Sequence, residues 1–195
     1  MPERSYNPSP RMTEILDAAV RVTAAGGLRA LTHRAVDREA GLPEGSTSSY
    51  LRTRMALLVA LSEHVADQLH AQVRALMEPL ASEDGVDEEQ LTAGIVGLFV
   101  EWLDHPEVSL VRAELSLEAV RVPAINEAFS PWHDDLIAAA TPIAARTGHP
   151  QPLRLATATV AAFEGILLSA LGQPEDRREN YLREMVGLLV QSLIR

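Results

Sequence analysis

The sequence predicts an all-α fold, and three observations carry that reading. Apolar residues fill 47% of the 195 positions while aromatics fill 4%, so the core has to be aliphatic and alanine-rich, which favours helices. Leu, Ile, Val and Ala recur at spacings of three and four along most of the chain. No alternating run of strand length survives scrutiny. There is no cysteine, which excludes a disulfide scaffold and a thiolate metal site. The N-terminus lacks an apolar signal core and no apolar run approaches the ~18 residues of a membrane span, so a soluble, cytoplasmic protein is expected.

Residues 1–10 are polar, carry Pro2, Pro8 and Pro10, and read as an arm. A first helix is expected from about Arg11 to Ala25, with Ile15, Leu16, Ala19, Val20 and Val22 on its apolar face and Gly26-Gly27 as its stop. From Leu31 to Leu58 come two short helical patterns, a tight turn between them, and the start of a longer helix. Thr32 is the N-cap of the first. Ala35, Val36 and Ala40 make its apolar face, leaving Arg34, Asp37, Arg38 and Glu39 to solvent. Gly41 stops it in a left-handed conformation. Pro43 fixes the chain for the second start, and Glu44 is expected to cap that helix. Gly45, Ser46, Thr47, Ser48, Ser49 and Tyr50 follow, then Arg52 and Arg54. Short hydroxyl side chains on a slim helix, flanked by arginines, suit a DNA groove.

These residues resemble the N-terminal domain of the tetracycline-repressor (TetR) family of transcriptional regulators. The match runs through Ile15, Ala18-Ala19, Gly26-Gly27, Leu31-Thr32, Val36, Ala40-Gly41-Leu42, Gly45-Ser46, Arg54 and Leu57-Leu58 without a gap. Ser48 and Leu51 stand where the family usually has an aromatic pair, and Pro43 where a serine or threonine is common. The resemblance implies a three-helix helix-turn-helix DNA-binding domain over residues 1–55, joined by a long helix to a helical ligand-binding and dimerisation domain over residues 56–195. It puts Gly45 to Tyr50 in the major groove, with Thr47 and Ser48 as the base contacts. Thr32, Tyr50, Arg52 and Arg54 would hold phosphates, and Arg34, Ser46 and Ser49 complete the DNA-binding set.

Charge divides along the same line. Residues 1–55 have a net charge of +2 and residues 56–195 a net charge of −12; all 17 basic residues are arginine. So mild a basic excess attracts DNA weakly unless two copies act together.

The long helix is expected from about Arg54 to Met77 on Leu57, Leu58, Leu61, Val65, Leu69, Val73 and Leu76, followed by a break at Pro79 and an acidic loop at Ser82–Gly85. Further helices are expected from Asp87 to His105-Pro106, from Val108 to Val120, and from Pro123 to about Arg146, where Pro131 and Pro142 should kink or divide the last. Two more run over Pro152 to Leu171 and Arg177 to Arg195. The final helix is apolar around most of its circumference and needs cover on two sides. This pair resembles the family's dimerisation element, in which two copies form a four-helix bundle; Val160, Phe163, Leu167, Met185, Leu189 and Leu193 would form the interface.

Catalytic and metal chemistry find little footing. Asp67 and His70 share a face but lack the second pair a di-iron bundle needs, and Glu101 with His105 is the spacing of a surface ion pair. No strand-turn-helix elbow presents a serine, and no glycine-rich loop cradles phosphate. Neither an enzyme nor a cofactor or metal is expected. A small-molecule pocket is the remaining role for the larger domain. Phe99, Trp102, Phe129, Trp132 and Phe163 hold most of the rare aromatics, and Arg112, Glu118, His133 and Glu164 could orient a ligand. The expectation is a dimeric, effector-released repressor on a near-palindromic operator. The alternative is a helical ligand-binding or protein-interaction module whose head no longer binds DNA.

Overall fold

The computed structural model describes residues 8–81 and 88–194, and every regular element among them is a helix. These are α1 (Pro10–Ala30), α2 (His33–Glu39), α3 (Ser46–Tyr50), α4 (Arg54–Ala81), α5 (Glu88–Asp104), α6 (Glu107–Ala119), α7 (Pro123–Arg146), α8 (Pro152–Leu171) and α9 (Glu175–Ile194). The acidic stretch expected at Ser82–Gly85 lies outside the described residues.

The helices gather into two compact units. One takes the chain to Gln68 together with Glu107–Pro131; the other takes Leu69–Pro106 and the chain from Trp132 onward. This differs from a division at residue 55, and the reason is burial. Helices α1 to α3 by themselves would make only a small core, and α6 adds to it. In the first unit α1 packs against α2 and also against α6, and α2 packs against α3. Ile15, Leu16, Leu31, Val36, Leu57, Leu61 and Val65 are fully buried there, as are Val111 and Leu115 of α6.

Local sequence explains the element ends. Ser9 caps α1 by accepting the Met12 amide at 3.3 Å, and Thr32 caps α2 by accepting the Ala35 amide at 3.2 Å. Within α1, Gly27 leaves helical geometry at φ 71° and ψ 177°, so the regular helix stops where the glycine pair predicts and a short final turn follows.

In the second unit α5 packs on α9 and α8, and α8 packs on α9. Ala156, Val160, Leu167 and Ala170 of α8 and Leu182, Val186 and Val190 of α9 form the buried stripe between them. α7 is one continuous helix, so Pro131 and Pro142 do not divide it. The residue before each proline, Ser130 or Thr141, donates its hydroxyl to the carbonyl four residues back, at 2.9 and 2.7 Å, satisfying acceptors beside those the prolines leave open.

α8 is long and apolar enough, by length and composition only, to cross a membrane, although Arg154 and Glu164 interrupt its apolar run. It carries Leu153 and Leu168 exposed, and α9 carries Leu188 exposed.

Candidate nucleic-acid interface and ligand cavity

The first unit presents α3, a helix of five residues, which is too short to hold its own shape. α2 holds it at both ends. The carboxylate of Asp37 accepts the amides of Gly45 and Thr47 at 2.8 and 2.7 Å and the Thr47 hydroxyl at 2.6 Å. At the other end the Nε2–H of His33 donates to the carbonyl of Leu51 at 2.6 Å. Gly45, at φ 94°, supplies the left-handed turn that aims both amides at Asp37. Burial of Asp37 works to raise its pKa. The Thr47 hydroxyl, the two amides and the charge of His33 together outweigh that, so its carboxyl sits below the usual 3.8.

Two expectations are corrected here. Asp37 is 2% exposed rather than solvated, and it caps α3 in place of Glu44. Thr47 is 0% exposed with its hydroxyl committed to Asp37, so it faces the interior of the unit and not a groove. Helical geometry gives the reason: with Thr47 turned inward, Ser48, Ser49 and Tyr50 are left on the outer face, where all three are exposed. Ser48 and Ser49 donate their hydroxyl protons to the carbonyls of Gly45 and Ser46 at 2.9 and 2.6 Å, leaving their lone pairs outward. Ser46 does the same to Pro43 and is half-buried.

The arginines divide into two roles. Arg52 is exposed, and Arg34 is exposed and meets Glu44 at 2.6 Å, a solvent-screened pair worth at most about 1 kcal/mol. Arg54 is exposed and does a second job. Its guanidinium grips the carbonyls of Leu28 and Leu31, tying the start of α4 to the end of α1. Thr32 is exposed, with its hydroxyl at work as a cap.

In the second unit the structure assembles part of the expected aromatic group. Phe99 stacks on Trp102 at 5.5 Å and meets the edge of Phe163 at 6.1 Å. The indole N–H of Trp102 donates to Gln72 Oε1 at 2.7 Å. Phe163 also forms one wall of an apolar cavity of about 60 Å³, with Leu91, Ile95, Ile143, Leu155 and Val190 among the others. The two hydroxyls in its wall, Thr147 and Thr159, donate to their own helix at Ala144 and Leu155, so no polar group converges on the space.

The other ligand candidates are scattered. Trp132 and His133 lie side by side with ring centroids 6.4 Å apart, and Glu164 is half-buried on α8. Arg112, Glu118 and Phe129 belong to the first unit. The sequence reading missed the aliphatic walls of the cavity, whose only signal is ordinary helical periodicity.

Among the interface candidates, Val160 and Leu167 are 4% and 2% exposed inside the second unit. They are therefore withdrawn from the expected dimer face. Met185, Leu189 and Leu193 are half-buried, and Leu193 lines the cavity with Phe163.

A short helix braced from behind by its predecessor, presenting hydroxyls and flanked by arginines, is the helix-turn-helix architecture, here joined to a larger all-helical body. Residues 86–192 match the family model described as tetracyclin repressor-like, C-terminal domain. The chain belongs to the TetR family of transcriptional regulators. It is 34% identical to the multidrug binding protein EbrR in its crystal structure with imidazole, with 94% of this chain and 96% of that one covered and a TM-score of 0.66. It is 30% identical to a TetR-family member from Streptomyces coelicolor A3, over 93% and 98% of the two chains, with a TM-score of 0.72. A Rhodococcus transcriptional regulator, at 18% identity, shares the fold with a TM-score of 0.78 over 94% and 95%. No curated protein matches the sequence.

Proposed function

We propose that the protein is a dimeric, ligand-responsive DNA-binding regulator: a cytoplasmic repressor released from a near-palindromic operator by a small-molecule effector. The observation that carries this reading is α3, held at both ends by Asp37 and His33 with Ser48, Ser49 and Tyr50 outward. Residues 1–55 are the DNA-binding domain and residues 56–195 the effector and dimerisation domain. Gly45, Ser48, Ser49 and Tyr50 enter the major groove, and Arg34 and Arg52 hold phosphates. Thr32 keeps its cap and adds a phosphate contact through its exposed side. The Arg34–Glu44 pair opens on binding, at little cost for so exposed a pair.

A gel shift with the DNA flanking the protein's own gene tests this directly. Specific retardation supports the reading. Retardation no different from that of unrelated DNA would leave a helical ligand-binding module as the better account. Arg52→Ala should weaken binding to all sequences and lower the salt slope by about one; an unchanged slope removes Arg52 from the phosphate set.

The effector is an aromatic, lipophilic molecule. EbrR is a multidrug binding protein with structures in complex with proflavin, ethidium and malachite green. Here the Phe99–Trp102–Phe163 group, beside an apolar cavity, offers stacking surface of the same chemical kind. The cavity itself is well below the ~300 Å³ of a drug-sized site, so binding requires Phe163 to move. In a fluorescence titration without DNA, malachite green should bind saturably, and Trp102→Ala should weaken it about tenfold, in line with the ~0.5–1.5 kcal/mol of one aromatic pair. Equal binding by the variant would take the aromatic group out of the site.

α8 and α9 form the dimer face. A helix with the hydropathy of a membrane span and only 22% of that window buried needs apolar cover that the single chain does not supply. A second copy of the same pair supplies it.

A further inference from the structure

We propose that Glu44 is a specificity-determining residue of the DNA-binding head, one that selects cytosine at one position of each half-site. The inference rests on the DNA-binding reading above. Glu44 precedes Gly45, the N-cap position of α3. Its place in the sequence makes it the expected cap, yet Asp37 holds the amides of Gly45 and Thr47 instead. The Glu44 carboxylate is left on the surface, with its side chain 69% exposed and Arg34, at 81%, meeting it at 2.6 Å. It borders the residues that face outward from α3. Gly45 has no side chain to stand between them, and a Cβ built there would lie 3.9 Å from the Ser48 hydroxyl oxygen. That hydroxyl donates to the Gly45 carbonyl at 2.9 Å, so residues 44, 45 and 48 share one patch of surface.

A carboxylate carried to the major groove accepts hydrogen bonds and cannot give them. Guanine offers it N7 and O6 and thymine O4, all acceptors, which repel it. Adenine offers its N6 amino group, but beside the N7 acceptor. Cytosine alone offers an amino group, N4, with no acceptor next to it on its own edge. Binding frees the carboxylate for this contact, because Arg34 leaves it for a phosphate. In the unbound protein the same arginine keeps that negative charge from standing alone. Glu44 therefore contributes selection more than affinity: any other base at that position leaves an anion with a poorer donor or none, among phosphates that repel it.

The test is selection from a randomised duplex library by the full chain, run in parallel for the wild type, Glu44→Ala and Glu44→Gln. Both changes touch an exposed side chain, so the head keeps its fold. The wild type should enrich a motif with cytosine fixed at one position of each half-site. Glu44→Ala should lose that preference, by about tenfold or more against the other bases, and leave the rest of the motif as it was. Glu44→Gln should move the preference to adenine, whose N6 and N7 suit a side-chain amide. A motif unchanged in Glu44→Ala overturns the proposal. So does a change of affinity common to all sequences, which would make Glu44 a surface charge that only repels phosphate. Enrichment of no motif by the wild type overturns the DNA-binding reading itself, and this proposal with it, so the two failures are distinct.

Discussion

Replacing Asp37 with alanine should cost the head on the order of 3 kcal/mol or more, because it orphans two amides and a hydroxyl that the carboxylate now satisfies, and each buried orphan costs about 1–3 kcal/mol. Domains hold only about 5–15 kcal/mol in total, so α3 should lose its fixed position before the rest of the protein unfolds. The expected signature is rapid amide exchange at residues 43–50 with DNA binding abolished, while the second unit melts as in the wild type. Retained DNA binding by Asp37→Ala would mean that α3 needs no brace.

The same group makes a pH prediction. The folded pKa of Asp37 lies below its ordinary 3.8, so the folded state favours the ionised form. The stabilisation is fully present above pH ~4 and drains away as pH falls through the lower folded value. Urea midpoints of the wild type should therefore drop below about pH 4 more steeply than those of Asp37→Asn, which has no proton to take up. Parallel curves would show that Asp37 does not contribute to acid sensitivity.

The second large effect concerns assembly. Leu168 and Leu188 are 56% and 58% exposed on α8 and α9, and an obligate dimer of this type buries more than about 2,000 Å² of mostly apolar surface. Two charges placed there cannot be solvated in a packed bundle. Leu168→Arg with Leu188→Arg should sediment as a monomer and, by losing simultaneous engagement of two half-sites, should lose about 10²-fold or more in operator affinity. A dimer surviving both changes would move the interface off these helices.

Much of this was legible in the residues. Helix type and order follow from three- and four-residue apolar spacing, and the caps at Thr32 and Gly41 and the stop at Gly26-Gly27 follow from local backbone chemistry. Such signals depend on neighbours within one turn, so a linear reading captures them. Asp37 was misread because a charged residue beside Arg38 and Glu39 looks solvated until α3 folds back over it. Thr47 was misread for the complementary reason: a hydroxyl in a serine-rich run gives no sign of which one turns inward. Arg54 looked like its neighbour Arg52 until the carbonyls of Leu28 and Leu31 appeared within its reach.

By itself, then, the sequence determined an all-helical TetR-family chain with a helix-turn-helix near its start, because periodicity, capping and family motif are properties of short windows. Tertiary structure alone decided the rest. It decided which apolar stripe of α8 and α9 faces inward, that α6 completes the first unit, and that Glu114 meets the Leu28 amide 86 residues away. Those outcomes depend on which distant surfaces meet when buried area is maximised and every buried polar group must find a partner. Nothing within a single turn of chain carries that information.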